Sequence, residues 1–257
     1  MKLIDTHAHL YAQQFDPDLI EVIQRAKENK ISKIFLPNID LDSIGPLNQL
    51  VKNHKDLFIP MMGLHPCSVG SNYREVLPEI EQELDRNNHY VAVGEIGIDL
   101  YWDKTFLQEQ QDAFEIQIRW AKSRNLPIVI HCRDSFDEIY EILKAENDEN
   151  LNGILHCFGG SLSEGEKIID LGGFYLGIGG VITFKNTGLK NVVKELPLSK
   201  LVIETDAPYL TPAPHRGKRN ESSYVKYIAQ EIAQVKEITL EEVAQITTAN
   251  ALSVFKQ

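Results

Sequence analysis

The sequence is poor in cysteine. Its three cysteines, Cys67, Cys132 and Cys157, are odd in number and form no CxxC pair. A disulfide framework uses an even set and a zinc ribbon uses closely spaced pairs, so the sequence predicts neither. Cys132 and Cys157 each follow a histidine. Because side chains alternate along a strand, we expect both sulfurs to point away from a histidine-bearing face.

Long apolar runs are also absent. No run approaches the roughly 18 residues of a membrane span. Hydrophobic residues nevertheless make up 43% of the chain, which is enough for a sizeable core. The opening residues MKLIDTH lack the charged, apolar and small-residue regions of a signal peptide. We therefore expect a cytoplasmic protein with no membrane partner.

Positive charge is scarce. The chain has 26 basic and 37 acidic residues, which gives a formal net charge of -11. A protein that coats duplex nucleic acid neutralises many phosphates and releases their counterions, and this composition argues against that mode of binding. A local site for a single phosphate remains compatible with the charge.

Linkers, low-complexity segments and strong internal repeats are lacking too, and short apolar runs alternate with amphipathic stretches. The runs cover residues 3–7, 33–38, 57–65, 91–99, 127–132, 153–158, 174–180 and 201–206. Eight buried strands joined by crossover helices predict an all-parallel sheet. Eight such repeats in about 250 residues predict an α/β protein with a (β/α)8 TIM barrel, in one domain spanning 1–257. A doubly wound open sheet is the alternative.

Two helix starts carry local signals. Asp16 followed by Pro17 predicts an N-cap with proline in the first turn of a helix. Thr105 and Gln108 have the spacing of a capping box.

Polar residues interrupt the apolar runs near their C-terminal ends, where barrel enzymes build their active sites. These residues are His7, His9, His65, Glu95, Asp99, His131, His156 and Asp206. A doubly wound sheet would not predict this placement. The polar residues therefore favour the barrel and mark its C-terminal mouth as the candidate site.

Alternation along the strands sharpens the set of candidate ligands. His7 and His9 share a face with Asp5, and His131 shares one with Arg133. The resulting metal ligands, from five strands, are His7, His9, Glu95, His131, His156 and Asp206. Four imidazoles and two carboxylates are sufficient for two divalent ions, and buried carboxylates need positive partners. A hydrogen-bonded rim network is the alternative.

Seven motifs of the chain resemble, in order, those of the TatD-type metal-dependent hydrolases, which are described as DNases. They are THAHL, GLHP, GEIGID, IHCR, HCF, ETDAPYLTP and RGKRN. The resemblance implies a TIM barrel with a divalent-metal centre at its rim. By matching motifs, it implies one ion held by His7, His9 and Asp206, a second held by His131 and His156, and Glu95 as the bridge between them.

A phosphodiester suits such a centre. Two divalent ions, two ionised carboxylates and a hydroxide leave a net charge of about +1, which attracts an anion. We expect Asp206 to orient or deprotonate the attacking water, with Glu95 as the second catalytic residue. His65, Arg133 and the loop 215–220, with Arg219, are expected to hold phosphate oxygens or flanking nucleotides. The alternative for the loop is a solvated basic turn.

The expected substrate is DNA, and its single-stranded ends in particular, cleaved in the manner of a 3′–5′ exonuclease. An acidic protein with one small basic loop favours short contacts over a long duplex footprint. The resemblance favours Mg²⁺ or Mn²⁺ as the ions that support catalysis. The mixed imidazole and carboxylate ligands can also bind Zn²⁺, Ni²⁺ or Co²⁺. For the oligomeric state we favour a monomer.

Two other functions stay open at this point. The same centre could polarise a carbonyl, which would make the protein an amide or ester hydrolase of the amidohydrolase type acting on a small molecule. A metal-loaded binding protein without turnover is the other alternative. It would need a ligand set without an open position or a base, and Asp206 argues against it.

Overall fold

The computed structural model describes residues 2–86 and 89–257, in which strands and helices alternate. The strands are β1 Leu3–Asp5, β2 Ile31–Leu36, β3 Phe58–Pro60, β4 Val93–Asp99, β5 Ile128–Arg133, β6 Gly153–Leu155, β7 Phe174–Ile178 and β8 Leu201–Ile203. Each pairs in parallel with its sequence neighbour, in the runs β1-β2-β3 and β4-β5-β6-β7-β8. All eight fall within or overlap the predicted runs.

Helices follow the strands and cover the outside of the sheet. They are α1 Leu19–Glu28, α2 Leu41–Asn53, α3 Tyr73–Arg86, α4 Leu107–Arg124, α5 Phe136–Glu146, α6 Leu162–Asp170, α7 Leu189–Glu195, α8 Val225–Lys236 and α9 Leu240–Val254. None of those helices combines the length and the apolar content that crossing a membrane requires.

Parallel bridges connect the two runs of strands at both junctions. Ala8, after β1, pairs with Ala207, after β8, and Met62, after β3, pairs with Val93 at the start of β4. Backbone hydrogen bonds reinforce the first junction, where the Thr6 amide donates to the Ile203 carbonyl over 3.1 Å. The predicted TIM barrel is confirmed, and the open doubly wound sheet is wrong.

The lower part of the barrel is filled with apolar side chains. Ile4, Phe35, Val129, Ile154 and Val202 form a buried cluster with the end of α9. Phe255, just past that helix, stacks on Phe35 with ring centroids 3.9 Å apart. Because apolar side chains fill this end, polar groups collect at the opposite, C-terminal mouth.

The two predicted helix starts are wrong. Helix α1 begins at Leu19 with Asp18 at its N-cap, because residues 13–15 form a short 3-10 turn. Helix α4 begins at Leu107, and Thr105 does not cap it. The Thr105 amide instead donates to the Asp103 carboxylate over 2.8 Å, a local aspartate turn that competes with the capping box.

Candidate metal centre

The strand ends bring the six predicted ligands together at the mouth. His7 and His9 follow β1, Glu95 lies on β4, His131 on β5, His156 follows β6 and Asp206 follows β8. Glu95 and His7 are only 2% and 0% exposed. A carboxylate buried this deeply requires compensating positive charge or strong hydrogen-bond donors.

One carboxylate oxygen of Glu95 faces the histidines after β1. Glu95 Oε2 lies 3.1 Å from His7 Nε2 and 3.6 Å from His9 Nε2. Asp206 Oδ1 closes the group, at 3.8 Å from His7 Nε2 and 3.5 Å from His9 Nε2. Two imidazole nitrogens and two carboxylate oxygens therefore converge on one small volume.

The other oxygen of Glu95 faces a different set of histidines. Glu95 Oε1 lies 2.8 Å from His131 Nδ1, 2.9 Å from His156 Nε2 and 3.4 Å from His65 Nε2. The carboxylate thus stands between two groups of nitrogen donors, one facing each oxygen. This is the arrangement that a ligand shared by two ions requires.

Outer partners determine which nitrogen of three histidines faces the cluster. The Tyr11 hydroxyl donates its proton to the Pro37 carbonyl over 2.6 Å, so it accepts from His9 Nδ1, 3.0 Å away, and His9 Nε2 faces the cluster. The Asp99 carboxylate, 2.9 Å from His131 Nε2, engages that nitrogen and directs His131 Nδ1 toward Glu95.

His156 lies beside Glu204 as an ion pair whose geometry is not that of a hydrogen bond. His156 Nδ1 lies 3.3 Å from Glu204 Oε1, which leaves Nε2 to face Glu95. Glu204 is fully buried, two residues before Asp206 in the segment that follows β8. Asp5 differs: its carboxylate accepts from the amide and hydroxyl of Thr205, over 2.9 and 2.6 Å, because β1 ends at Asp5. Asp5 therefore does not join the histidines.

The electrostatics of the cluster favour ionised carboxylates. Burial opposes ionisation of Glu95, but His156 and His7 outweigh it and hold the pKa of Glu95 well below its ordinary value. Burial also opposes protonation of His156, yet Glu95 and Glu204 raise the pKa of His156 well above its usual range. Without cations, protonated histidines supply the positive charge that the carboxylates need.

The donor set fits divalent cations. Three overlapping groups of residues could each hold an ion, because within each group the ligand atoms lie within 4.8 Å of one another. The groups are His7 with His9 and Glu95, His7 with His156 and Asp206, and His65 with Glu95 and His131. Mixed imidazole and carboxylate donors suit manganese, zinc, iron, cobalt or nickel. The histidine tautomers fixed by Tyr11 and Asp99 are those that present lone pairs to an ion.

The predicted substrate-binding residues have three different environments. His65 lies inside the cluster, as one of the groups able to hold an ion. Arg133 is exposed, with its guanidinium carbon 3.8 Å above the Tyr101 ring. Arg219 is engaged elsewhere: its guanidinium pairs with the Asp18 carboxylate at 2.7 Å and lies over the Phe15 ring. The structure therefore brings His65 to the centre and does not bring Arg219.

Comparison with known proteins gives consistent matches along the whole chain. The family model described as TatD related DNase matches residues 4–256. The uncharacterized metal-dependent hydrolase YabD of Bacillus subtilis is 46% identical over 255 residues, covering 99% of both chains. The uncharacterized metal-dependent hydrolase YcfH of Escherichia coli is 31% identical, covering 99% of this chain and 96% of its own. The crystal structure of the TatD homolog YjjV from Escherichia coli matches with a TM-score of 0.93 and 29% identity, covering 99% of this chain and 98% of that one.

Proposed function

We propose that this chain, which belongs to the TatD related DNase family of metal-dependent hydrolases, hydrolyses phosphodiester bonds of DNA with two divalent ions. The observation that carries the proposal is the position of Glu95, whose two carboxylate oxygens face separate groups of histidines. A single ion would need only one of these groups.

We assign the six residues to two ions. His7, His9 and Asp206 would hold the first, and His131 with His156 the second, with Glu95 shared. When bound, such ions act as Lewis acids on a phosphoryl oxygen and lower the pKa of water to near neutrality. Mg²⁺ or Mn²⁺ is proposed for activity, and Zn²⁺, Ni²⁺ or Co²⁺ can be accommodated by the same donors.

Asp206 is proposed to orient the attacking water and take its proton. Its backbone has a φ of 57° and its amide donates to the His7 carbonyl over 2.9 Å, which fixes the side chain beside His7 and His9. The side chain retains 13% exposure at the mouth, so substrate and water can reach it. Glu95 is buried beneath Asp206. It contributes negative charge to the site and does not contact solvent.

The substrate class follows from charge. Two ions would bring four positive charges to a mouth whose carboxylates are Glu95, Asp206, Asp99 and Glu204, while the whole chain carries -11, so an anion would be attracted at the ions themselves rather than over a broad surface. Such a local site suits short contacts, as at a DNA end, and our proposal is cleavage of single-stranded ends, in the manner of a 3′–5′ exonuclease, by a monomer. A cytoplasmic location belongs to the same proposal, because all three cysteines are free thiols.

Amide or ester hydrolysis of a small molecule is the second candidate. The observation that favours it is the engagement of Arg219 with Asp18, which removes one expected phosphate contact. The same pair of ions would polarise a carbonyl as well as a phosphoryl group.

Metal-stripped protein resupplied with Mg²⁺, Mn²⁺ or Zn²⁺ distinguishes the two functions. We expect it to degrade a linear single-stranded oligonucleotide only when metal is present, and to leave the same sequence intact when it is circular. Cleavage of the circle at the linear rate would contradict the preference for ends. Hydrolysis of a small ester or amide, with no cleavage of DNA by any metal-loaded form, would replace the proposal with the second candidate.

A further inference from the structure

Exposed aromatic side chains surround the mouth of the barrel. Among the described residues, five large hydrophobic side chains are exposed: Ile20, Tyr101, Trp102, Tyr209 and Leu210. Four of these lie in the loops after β4 and β8, and Trp102 is 71% exposed. Aromatic surface concentrated beside an active site indicates ligand contact, since isolated exposed residues would be scattered over the molecule.

The loop that carries Tyr101 and Trp102 is anchored to the metal centre by Asp99. Asp99 Oδ1 accepts from the backbone amides of Tyr101 and Trp102, over 3.0 and 3.2 Å. Asp99 Oδ2 lies 2.9 Å from His131 Nε2. One buried carboxylate therefore positions both a ligand histidine and the aromatic loop. The Tyr209 ring is likewise near the centre, with its centroid 6.2 Å from that of His9.

A cation and a pocket accompany the aromatic rings. The Arg133 guanidinium carbon lies 3.8 Å above the Tyr101 ring and 5.4 Å from the Trp102 ring. Beside Trp102 is an open pocket of about 260 Å³, which Cys67 and Phe106 also line. The pocket offers room for one ring system between Trp102 and the loop after β3.

We propose that Trp102, with Tyr101 and Arg133, forms a stacking site for the unpaired base of the nucleotide whose phosphate lies at the metal centre. This inference rests on the proposed function and names the feature of DNA that the enzyme selects. An aromatic face accepts any base, and a neighbouring guanidinium adds a cation–π contribution. A base can occupy the site only when it is unpaired, which restricts cleavage to single-stranded ends.

Steady-state cleavage of two matched oligonucleotides tests the site. One ends in a normal 3′ nucleotide and the other in an abasic residue. The wild-type holoenzyme should prefer the normal end by about tenfold in kcat/KM, the range expected of one base stacked on an aromatic ring. Trp102→Ala should bring this preference close to one. Trp102→Phe should restore most of it, and Ile20→Ala, which removes an exposed apolar side chain on α1, should leave it unaltered.

Equilibrium binding gives a readout that does not depend on turnover. The other tryptophan, Trp120, is 7% exposed on α4, so Trp102 should dominate fluorescence quenching by a ligand at the mouth. Thymidine 5′-monophosphate should quench the wild-type holoenzyme, 2-deoxyribose 5-phosphate should not, and Trp102→Phe should lose the signal.

Four outcomes would overturn the inference. The first two are equal cleavage of the normal and abasic ends by the wild type and a retained preference for the normal end in Trp102→Ala. The other two are equal quenching by thymidine 5′-monophosphate and 2-deoxyribose 5-phosphate, and quenching that rises with protein concentration instead of ligand concentration. The last would assign the rings to contact between copies. A wild-type enzyme that cleaves no DNA refutes the proposed function, whereas equal cleavage of both ends refutes the stacking site alone.

Discussion

Glu95→Gln is expected to lower hydrolysis by more than about a hundredfold, beyond the loss typical of an outer partner of a metal ligand. The carboxylate lies within 3.6 Å of His7, His9, His131, His156 and His65, and among the described residues no other side chain contacts as much of the cluster. The amide is nearly isosteric but carries no charge, and one of its two ends can only donate hydrogen bonds. Both groups of histidines therefore lose a common anionic partner.

The measurement is the hydrolysis rate and bound metal of Glu95→Gln, alongside Glu149→Gln. Glu149 is exposed on the loop after α5, so the same chemical change there should leave both quantities as in the wild type. Circular dichroism and thermal unfolding establish that each variant is folded. A folded Glu95→Gln protein with wild-type rate and metal content would contradict the role of Glu95 as the shared ligand.

Asp206→Asn is expected to reduce turnover by about a hundred- to ten-thousandfold at saturating metal, the contribution of a general base. Asp206 has a φ of 57°, in the left-handed region that asparagine also tolerates. The substitution therefore keeps the backbone and the shape of the side chain while removing the proton acceptor beside His7 and His9. The loss should appear in kcat and persist when more metal is added.

Asp134→Asn is the matched control for that variant. Asp134 has a φ of 53°, follows β5 and is exposed, so the same substitution is made in the same backbone conformation. We expect wild-type kcat for Asp134→Asn. Full activity in Asp206→Asn, or full recovery at high metal concentration, would show that Asp206 is at most a ligand and not the base.

The barrel could be predicted from the order of apolar runs and from the polar residues at their ends. Hydrophobic burial acts on each strand locally, and parallel strands bring all their C-terminal ends to one edge. The starts of α1 and α4 could not be predicted in this way. They depend on competition between turns within a few residues, such as the aspartate turn at Asp103, which differ little in free energy.

About as much of the candidate site as of the fold could be predicted from the sequence. Alternation selects Glu95 and His131, and the structure brings them to 2.8 Å. Asp99 shares the strand face of Glu95, but its role depends on His131, which is 32 residues further along the chain. The environment of Arg219 could not be anticipated, since its partner Asp18 lies 201 positions away. Sequence patterns identify what can bind, whereas tertiary packing decides which arginine is already paired.

Anomalous X-ray scattering from crystals of the Mn²⁺-loaded protein tests the central claim most directly, because it counts the ions and locates them without assuming a substrate. Two peaks are predicted, one beside His9 and Asp206 and one beside His131 and His156, with the Glu95 carboxylate touching both. A single peak, or ions that leave Glu95 uncoordinated, would contradict the account.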